Sequence, residues 1–545
     1  MVFLNHKKAW IWPSVLLLGL ILWTALAAGL DNGHLGVFHD DGLYLTAARS
    51  LRDGLGFGLP SRPGEPPPKY PIGLPAVIAV ALRLDPAPST LAREIVIART
   101  LVLAGAWVFF LGSYTWLRRV GVHPAMACGI VLASAYHHVV LIGGAITIFA
   151  DLPFAGVAFV LMARWAGRDK SPATGASRRA FADGLIAGFG ILLRSNGITL
   201  ALAALVAALV GPKKRPSLAA CLAGLALSVV PATYYAGLHP RVVPSNSYLL
   251  EMKAGWSSPG AGLKIIASNA AAMTLDFPAR VLASPTTFIT PIIGAMSAHP
   301  RLATTFRVAL SAIVAIGLIS LARSSRLVDR PAWIHATGTM AIFLVWPWGG
   351  ILDRFLLALI PPLILAFVRG LATIARHLGL APRYARVLAA AGLVAVLAGN
   401  ATVVLRSAAL FHASGRQWPG SSNRVSLGHA LELIRRKTEP DAVIAGVWPE
   451  MIHLHTGRTV IPLIEDESFL DDHYGDLRRF NLWRNLVPNR PLYLLLRAEN
   501  EDPKRADLAQ SAALAAQPGV SLREVERTTD GRYRLVKIDV LGGTE

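Results

Sequence analysis

The residues best suited to chemistry lie in one hydrophilic stretch, residues 39–75, which follows the first apolar segment. Near its start stand two adjacent acids, Asp40 and Asp41, followed by Tyr44. Two neighbouring carboxylates at a membrane edge cannot both enter hydrocarbon without a large cost, so we expect them to face a water-filled cavity or a substrate. One can act as a general base that deprotonates an attacking hydroxyl while the other orients it. A solvated loop edge is the simpler alternative for the pair.

The end of the same stretch offers a cation. Lys69 follows three prolines and precedes Tyr70 and Pro71. A polyproline segment is stiff, so it would hold the ammonium group at a fixed place. A lysine so held can bind phosphate as a point charge. The alternative is an interfacial lysine whose stem covers apolar surface while its head reaches water.

Further polar residues interrupt apolar segments later in the chain, namely Asp151 before Leu-Pro, Arg194 before Ser-Asn-Gly, and the pair Asp353-Arg354. Each has a simple explanation. Asp151 could cap a helix, and an arginine at the outer edge of a span could reach the interface. If several of them converge on one face, however, an anionic ligand is favoured, because a water-poor cavity strengthens each contact.

A metal site is a weaker possibility. His137 and His138 are adjacent near the end of an apolar segment and could in principle join the acids. No pair of potential ligands has the spacing of known zinc sites, so we assign no metal and no other cofactor, and leave a divalent metal open.

The composition places these residues in a membrane protein. The chain has 545 residues, of which 53% are hydrophobic and 16% charged, whereas soluble domains carry about 25% charged residues. The formal net charge is +20, but residues 406–545 hold 19 basic and 19 acidic side chains, so the excess belongs to residues 1–405, with 34 basic and 14 acidic. That excess is concentrated in short loops between apolar segments, as the positive-inside rule expects, and therefore does not indicate nucleic-acid binding.

Eleven apolar segments are predicted to span the membrane, and the first is interpreted as a retained anchor rather than a signal peptide. The segments at 181–193 and 196–210 could instead form one long tilted helix. The run at 72–84 is predicted to be a helix that lies at the interface, and the run at 281–298 is predicted to be similar. The spans are 10–30, 96–117, 123–142, 150–167, 181–193, 196–210, 216–237, 302–322, 331–350, 353–369 and 386–405.

The basic loops give the orientation. The N-terminus and the five loops interpreted as cytoplasmic hold 19 basic residues against two acids, and a third acid, Asp183, lies just inside the span that follows one of these loops. Residues 31–95, by contrast, hold six basic and seven acidic residues. We therefore expect residues 31–95, here called the first loop, to lie on the extracytoplasmic side. The same side is expected for Asp151, Arg194, Asp353-Arg354 and the tail.

The tail, residues 406–545, has a different pattern. Strands are predicted at 442–447, 458–462, 491–497 and 532–540, with helices at 427–437 and 504–516. Strands that alternate with helices indicate a small α/β domain. The predicted fold is thus mostly α, a polytopic helical membrane domain over residues 1–405 with a soluble extracytoplasmic α/β domain over residues 406–545.

Together these motifs resemble the GT-C class of membrane glycosyltransferases, and most closely the superfamily of protein O-mannosyltransferases and aminoarabinose lipid A transferases (glycosyltransferase family 39). The likeness covers residues 10–405. It is carried by Asp40-Asp41, Tyr44, Gly54 to Gly58, Lys69-Tyr70-Pro71, Asp151-Leu152-Pro153-Phe154, Arg354-Phe355-Leu356 and Pro361-Pro362.

The resemblance implies an inverting hexosyl- or pentosyltransferase in a bacterial plasma membrane. Such an enzyme moves a sugar from a polyprenyl-phosphate donor to a lipid, glycan or protein on the outer face. Asp40 would be the base or its essential partner, Lys69 and Arg354 would bind the donor phosphate, and Asp151 would help to place the acceptor. The remaining candidates for substrate binding are Tyr44, Tyr70, Arg194 and Asp353.

Three questions stay open at the level of sequence. The family usually has Asp-Glu where this chain has Asp40-Asp41, so the division of labour between the two acids is undecided. A transporter or flippase of a lipid-linked sugar is the main alternative, although inverted repeats, typical of transporters, are not evident. A non-catalytic membrane scaffold with an outer recognition domain is the other.

Overall fold

The computed structural model describes most of the chain. The described residues are 2–30, 35, 40–61, 70–145, 147–167, 175–210, 214–237, 256–283, 300–324, 330–347, 352–413, 422–446, 449–462, 490–497 and 520–540. The predicted helix at 504–516, Lys69 and most of the stretch 281–298 lie outside them.

The first half of the chain forms helices around a short hydrophilic loop. They are α1 (Val2–Gly29), α2 (Asp40–Arg52), α3 (Gly73–Leu84), α4 (Leu91–Arg119), α5 (Pro124–Ala135), α6 (Asp151–Ala166), α7 (Ala176–Leu193), α8 (Ile198–Val210) and α9 (Lys214–Gly237). The run at 72–84 is therefore helical as predicted, and the stretch 181–210 is two helices rather than one.

The second half continues the helical pattern as far as residue 413. The helices are α10 (Pro259–Ala271), α11 (Phe277–Ala283), α12 (Pro300–Ser324), α13 (Arg330–Leu344), α14 (Leu352–Phe355), α15 (Ile360–His377) and α16 (Pro382–Ala413). Each of the eleven predicted spans contains a helix.

Six helical segments of the described chain are long and apolar enough to cross a membrane: Trp10–Gly29, Leu91–Arg119, Lys214–Tyr235, Arg301–Arg323, Leu357–His377 and Pro382–Ala413. Their outward faces carry exposed apolar side chains such as Leu18, Ile21 and Leu22 on α1. Such faces suit lipid, because hydrocarbon imposes no penalty on exposed leucine. The chain is a polytopic helical membrane protein.

Glycines allow two central helices to pack closely. Helix α4 lies against α6 along most of its length. A Cβ added at Gly105 of α4 would lie 2.8 Å from the Cα of Pro153 on α6, and one at Gly156 of α6 would lie 2.9 Å from the carbonyl oxygen of Gly105. Small residues at such crossings let helix backbones approach each other where apolar side chains gain nothing by leaving lipid.

The tail forms a mixed sheet with helices on one face. Helices α17 (Ser422–Lys437) and α18 (Pro449–Thr456) accompany five strands in the spatial order β2-β1-β3-β5-β4. The strands are β1 (Val443–Gly446), β2 (Thr459–Pro462), β3 (Leu492–Arg497), β4 (Val520–Arg527) and β5 (Tyr533–Val540). β1 pairs in parallel with β2 and β3, whereas β5 is antiparallel to β3 and β4.

The tail contacts the first hydrophilic loop. The backbone N–H of Val460 in β2 donates to the carbonyl of Ser61 at 2.9 Å, and α18 packs against α2. Leu454 of α18 belongs to the main apolar core of the helical part. The helix that begins with the two acids is therefore covered by the tail.

We predict that Gly105→Ala destabilises the protein by about 1–3 kcal/mol, the usual cost of overpacking, because the new methyl group meets the backbone of Pro153. The thermal midpoint of the purified protein in detergent measures this effect. Gly399→Ala in α16 is the matched control, since nothing lies within 4 Å of its added Cβ. Helix propensity alone favours alanine over glycine, so the control should be neutral or slightly stabilised. Equal midpoints for the two variants would contradict this account of the α4–α6 contact.

Candidate active site

The acid pair begins a helix. Asp40 and Asp41 are the first two residues of α2, where the helix dipole favours negative charge. Asp41 is buried, at 2% exposure, and its Oδ1 accepts a hydrogen bond from the N–H of Gly42 at 2.8 Å. The side chain of Asp40 lies outside the described residues. Burial of Asp41 argues against the solvated loop edge, because a carboxylate there is held by protein groups rather than by bulk water.

Two tyrosines of the first loop are in contact. Tyr44, one helical turn after the acids, is buried, and its ring centroid lies 5.6 Å from that of Tyr70. The connection between them turns sharply at Gly54 and Gly56, whose φ angles of 77° and 86° are left-handed. Side chains other than glycine are strained in that conformation, which explains the glycine-rich run. The loop thus brings together two residues that are 26 positions apart in the sequence.

A second group forms around Asp151. Its side chain is 3% exposed, and its Oδ1 lies 3.0 Å from Nη1 of Arg194 while its Oδ2 lies 3.7 Å from Nε of Arg354. Asp151 is the first residue of α6, so the N-cap position is occupied by Ala150 and not by Asp151. The structure therefore supports convergence of the charged residues rather than helix capping.

Aromatic rings support both arginines of this group. The guanidinium carbon of Arg194 lies 4.3 Å from the ring centroid of Phe355, and that of Arg354 lies 4.1 Å from Phe149 and 4.9 Å from Phe355. The ring of Phe355 is itself stacked on Phe343 at 5.4 Å. A cation above an aromatic face keeps favourable electrostatics where water is scarce. Sequence reasoning assigned no role to Phe149 or Phe355, although each is close in sequence to a predicted charge.

Backbone breaks bring the two arginines to Asp151. Arg194 has extended backbone between α7 and a short turn at Ser195–Gly197. A Cβ at Gly197 would lie 2.5 Å from the carbonyl of Gly190, so this return of the chain requires glycine. Arg354 lies in the short α14, and the prolines that follow occupy the first turn of α15, where a missing N–H costs nothing. The side chain of Asp353 lies outside the described residues.

An apolar cluster joins the first loop to the Asp151 group. Leu43 and Ala47 of α2 and Ile72 pack together, with the partly buried Tyr70 and Leu192 against them. Leu192 stands two residues before Arg194. The first loop and the segment that leads to Arg194, the two halves of the candidate site, therefore share one packed interface. The position of Lys69 is outside the described residues.

His137 is committed to structural hydrogen bonds. Its Nδ1 accepts from the N–H of Val139 at 3.3 Å, and its Nε2 lies 3.1 Å from the carbonyl oxygen of Arg280. With both ring nitrogens engaged, His137 is not available to a metal here. Within the described ranges no group of three or more His, Cys, Asp or Glu side chains could hold a metal ion.

Comparison with solved structures identifies the fold. ArnT from Cupriavidus metallidurans bound to undecaprenyl phosphate matches with a TM-score of 0.53 and 17% identity, over 97% of this chain and 98% of that one. The apo state of the same protein matches with a TM-score of 0.55 and 15% identity, over 98% of each chain. AglB, the oligosaccharyltransferase of Archaeoglobus fulgidus in complex with an inhibitory peptide and a dolichol-phosphate, also matches. Its TM-score is 0.53 and its identity 13%, and the match covers 97% of this chain and 74% of that one.

No family model and no curated protein matches the sequence. At identities of 17% or less, the structural likeness concerns the fold, and both neighbours have the GT-C fold. The chain therefore has the GT-C fold, as its motifs over residues 10–405 predicted, and the likeness extends over nearly its whole length.

Proposed function

We propose that this chain is an inverting glycosyltransferase that moves a sugar from a polyprenyl-phosphate donor to a lipid, glycan or protein on the extracytoplasmic face of the membrane. The observation that carries the proposal is the buried group of Asp151, Arg194 and Arg354 beside the first loop. The neighbours add support, since ArnT was solved with undecaprenyl phosphate and AglB with a dolichol-phosphate.

The charges of this group suit a phosphate. Two guanidinium groups and one carboxylate leave a net charge of +1 among the three side chains. The side chains of the arginines are 12% and 17% exposed, so both are largely withdrawn from water. Coulomb interactions are several-fold stronger in such surroundings than in bulk water. A phosphate dianion that develops as the sugar departs would be stabilised there, with Lys69 as a further proposed ligand.

The acids of α2 suit the acceptor. In the proposed step the acceptor hydroxyl oxygen bonds to the anomeric carbon from the face opposite the phosphate. The bond from that carbon to the phosphate oxygen breaks, and the electron pair leaves with the polyprenyl phosphate. The hydroxyl proton passes to a carboxylate, for which Asp40 and Asp41 are the candidates. Tyr70 is partly exposed and contacts the ring of the buried Tyr44, so it offers an aromatic face against which a sugar ring can pack. Asp353 remains a proposed binding residue.

The reaction predicts a mass difference between cells with and without this chain. Glycolipids and glycoproteins of cells that lack it should be lighter by one sugar at the native acceptor, and mass spectrometry detects that difference directly. Unchanged spectra would contradict the proposal. Accumulation of a lipid-linked sugar on one leaflet, with no missing covalent product, would favour the transporter instead.

We expect substitution of the catalytic acid to abolish most of this transfer. Asp40→Asn and Asp41→Asn remove the two candidate bases, and loss of a general base slows a reaction by about 100-fold or more. Complementation of the deficient cells, followed by the same mass measurement, tests each variant at equal protein level. Asp276→Asn is the control, because Asp276 forms a half-exposed ion pair with Arg307 outside the proposed site. If both α2 variants transfer at the rate of the control, neither acid is the base.

Asp151→Asn should strengthen binding of the phosphate lipid and lower the stability of the unliganded protein. Without the carboxylate the two arginines present a larger positive charge, so we expect polyprenyl phosphate to bind about tenfold more tightly, equivalent to about 1.4 kcal/mol. The unliganded variant should be less stable by about 3 kcal/mol, because removal of one partner leaves buried charge uncompensated. Binding to detergent-solubilised protein and the thermal midpoint measure these two effects. Arg354→Gln is the opposite control and should weaken binding of the phosphate lipid. Weaker binding in Asp151→Asn would mean that the group does not receive the phosphate.

A further inference from the structure

A buried ion-pair cluster lies at the end of α2 that points away from the acids. Glu94 in the first turn of α4 has only 3% of its side chain exposed, and its carboxylate lies 2.5 Å from Nε of Arg49 and 2.6 Å from Nη1 of Arg52. The hydroxyl of Ser89 also donates to this carboxylate. Both arginines belong to the last turn of α2. The arrangement suits both helix dipoles, since the acid stands at a helix N-terminus and the cations at a helix C-terminus.

This cluster fixes the direction of α2 as well as its position. Arg49 and Arg52 stand on one face of the helix, and a single carboxylate bonds both. The carbonyl of Arg52 in turn accepts from Nε of Arg83 at 3.0 Å, which ties the same end of α2 to α3. Hydrogen bonds to charged groups are directional, whereas apolar contacts alone allow a helix to slide or rotate. Asp41 stands eight residues before Arg49, about 12 Å along the helix.

Helix α4 connects this cluster to the other half of the candidate site. From Glu94 it runs to Gly105, where its backbone meets Pro153 of α6. A second close approach follows at Gly112, where an added Cβ would lie 3.0 Å from the Cβ of Phe159. Backbone contacts of this kind leave little freedom between two helices, because interiors are close-packed. Since α6 begins with Asp151, one rigid path leads from Asp41 through Glu94 to Asp151.

We propose that Glu94 is a positioning residue that sets the placement of the α2 acids relative to the Asp151 group. This inference rests on the proposed function for its catalytic consequence, although its structural consequence can be measured without it. Stability alone is a weak explanation for the cluster, because a buried ion pair is often no more stabilising than apolar residues of the same size. Placement matters far more, since an error of about 1 Å between reacting groups can cost about 100-fold in rate.

Hydrogen exchange of backbone amides tests the structural part. In Glu94→Gln, exchange across residues 43–48 should rise at least about tenfold, because opening of α2 then requires less free energy. The control is Asp183→Asn, which removes a carboxylate of similar burial. Asp183 lies in α7 and accepts hydrogen bonds from two residues of α6, Arg164 at 2.6 Å and Trp165 at 3.2 Å. This variant should leave exchange in residues 43–48 unchanged. Equal exchange in Glu94→Gln and the wild type, or an equal rise in both variants, overturns the proposal.

Arg49→Gln is a milder variant that tests the same cluster if Glu94→Gln does not fold. It removes one of the two arginines and leaves the bond from Arg52 to Glu94, so its exchange should lie between those of the wild type and Glu94→Gln. Exchange in Arg49→Gln equal to that of the wild type contradicts the role of the cluster.

Kinetics test the catalytic part. In Glu94→Gln we expect kcat to fall at least about tenfold, because the α2 acids are displaced. KM for the donor should stay within about twofold, because the proposed phosphate-binding group around Asp151 is unchanged. Asp183→Asn should keep both constants even if its thermal midpoint falls. A matched fall in stability with no change in kcat would make Glu94 merely structural. If the wild type itself transfers no sugar, the proposed function fails, and hydrogen exchange still decides the role of Glu94.

Discussion

A carboxylate buried between two guanidinium groups is the constraint on which the rest of the structure depends. A carboxylate with 3% of its side chain exposed needs compensating charge, which Arg194 and Arg354 supply from distant parts of the chain. Each arginine then requires an interruption of regular helix to reach it. The break at Ser195–Gly197 and the short helix α14 provide these interruptions. Phenylalanine rings complete the surroundings, because they hold the cations without supplying further negative charge.

The two halves of the candidate site come from distant parts of the sequence and are linked by helix packing. The first loop supplies acids and tyrosines, and the later segments supply the charged group. Gly73 of α3 lies against the end of α7, since a Cβ there would stand 2.5 Å from the carbonyl oxygen of Leu192. This contact, together with the α4–α6 crossing, makes the spacing between the halves a property of helix backbones. Flexible side chains then need only to complete the local geometry.

The sequence predicted most helices, because apolar length and basic loops are direct consequences of the bilayer. It also singled out Asp151, Arg194 and Arg354 as charges that interrupt apolar segments, and the structure brings these three side chains together. The role of Glu94 was not foreseen, since acids and arginines of a hydrophilic loop have the composition of a solvated surface. Their pairing depends on how α2 and α4 cross, and no local pattern encodes that crossing.

Strand β4 was also missed. Apolar and polar residues alternate only over its first half, the register shifts between Glu524 and Glu526, and the strand lies at the edge of the sheet. Charged side chains occupy many of its positions. Edge strands carry such residues to discourage pairing with other chains, which weakens the apolar signal. The neighbouring β5, which is paired on both sides, keeps a clear alternation and was predicted at 532–540.

The contact between the tail and the first loop has a consequence for biogenesis. The carbonyl of Ser61 obtains its partner only after Val460 has been synthesised, some four hundred residues later. During translation the loop that carries the acids is therefore complete long before its cover exists. A nascent chain that ends before α18 lacks the part of the tail that packs on α2. The contact between the tail and the first loop therefore forms only after most of the polypeptide has been synthesised.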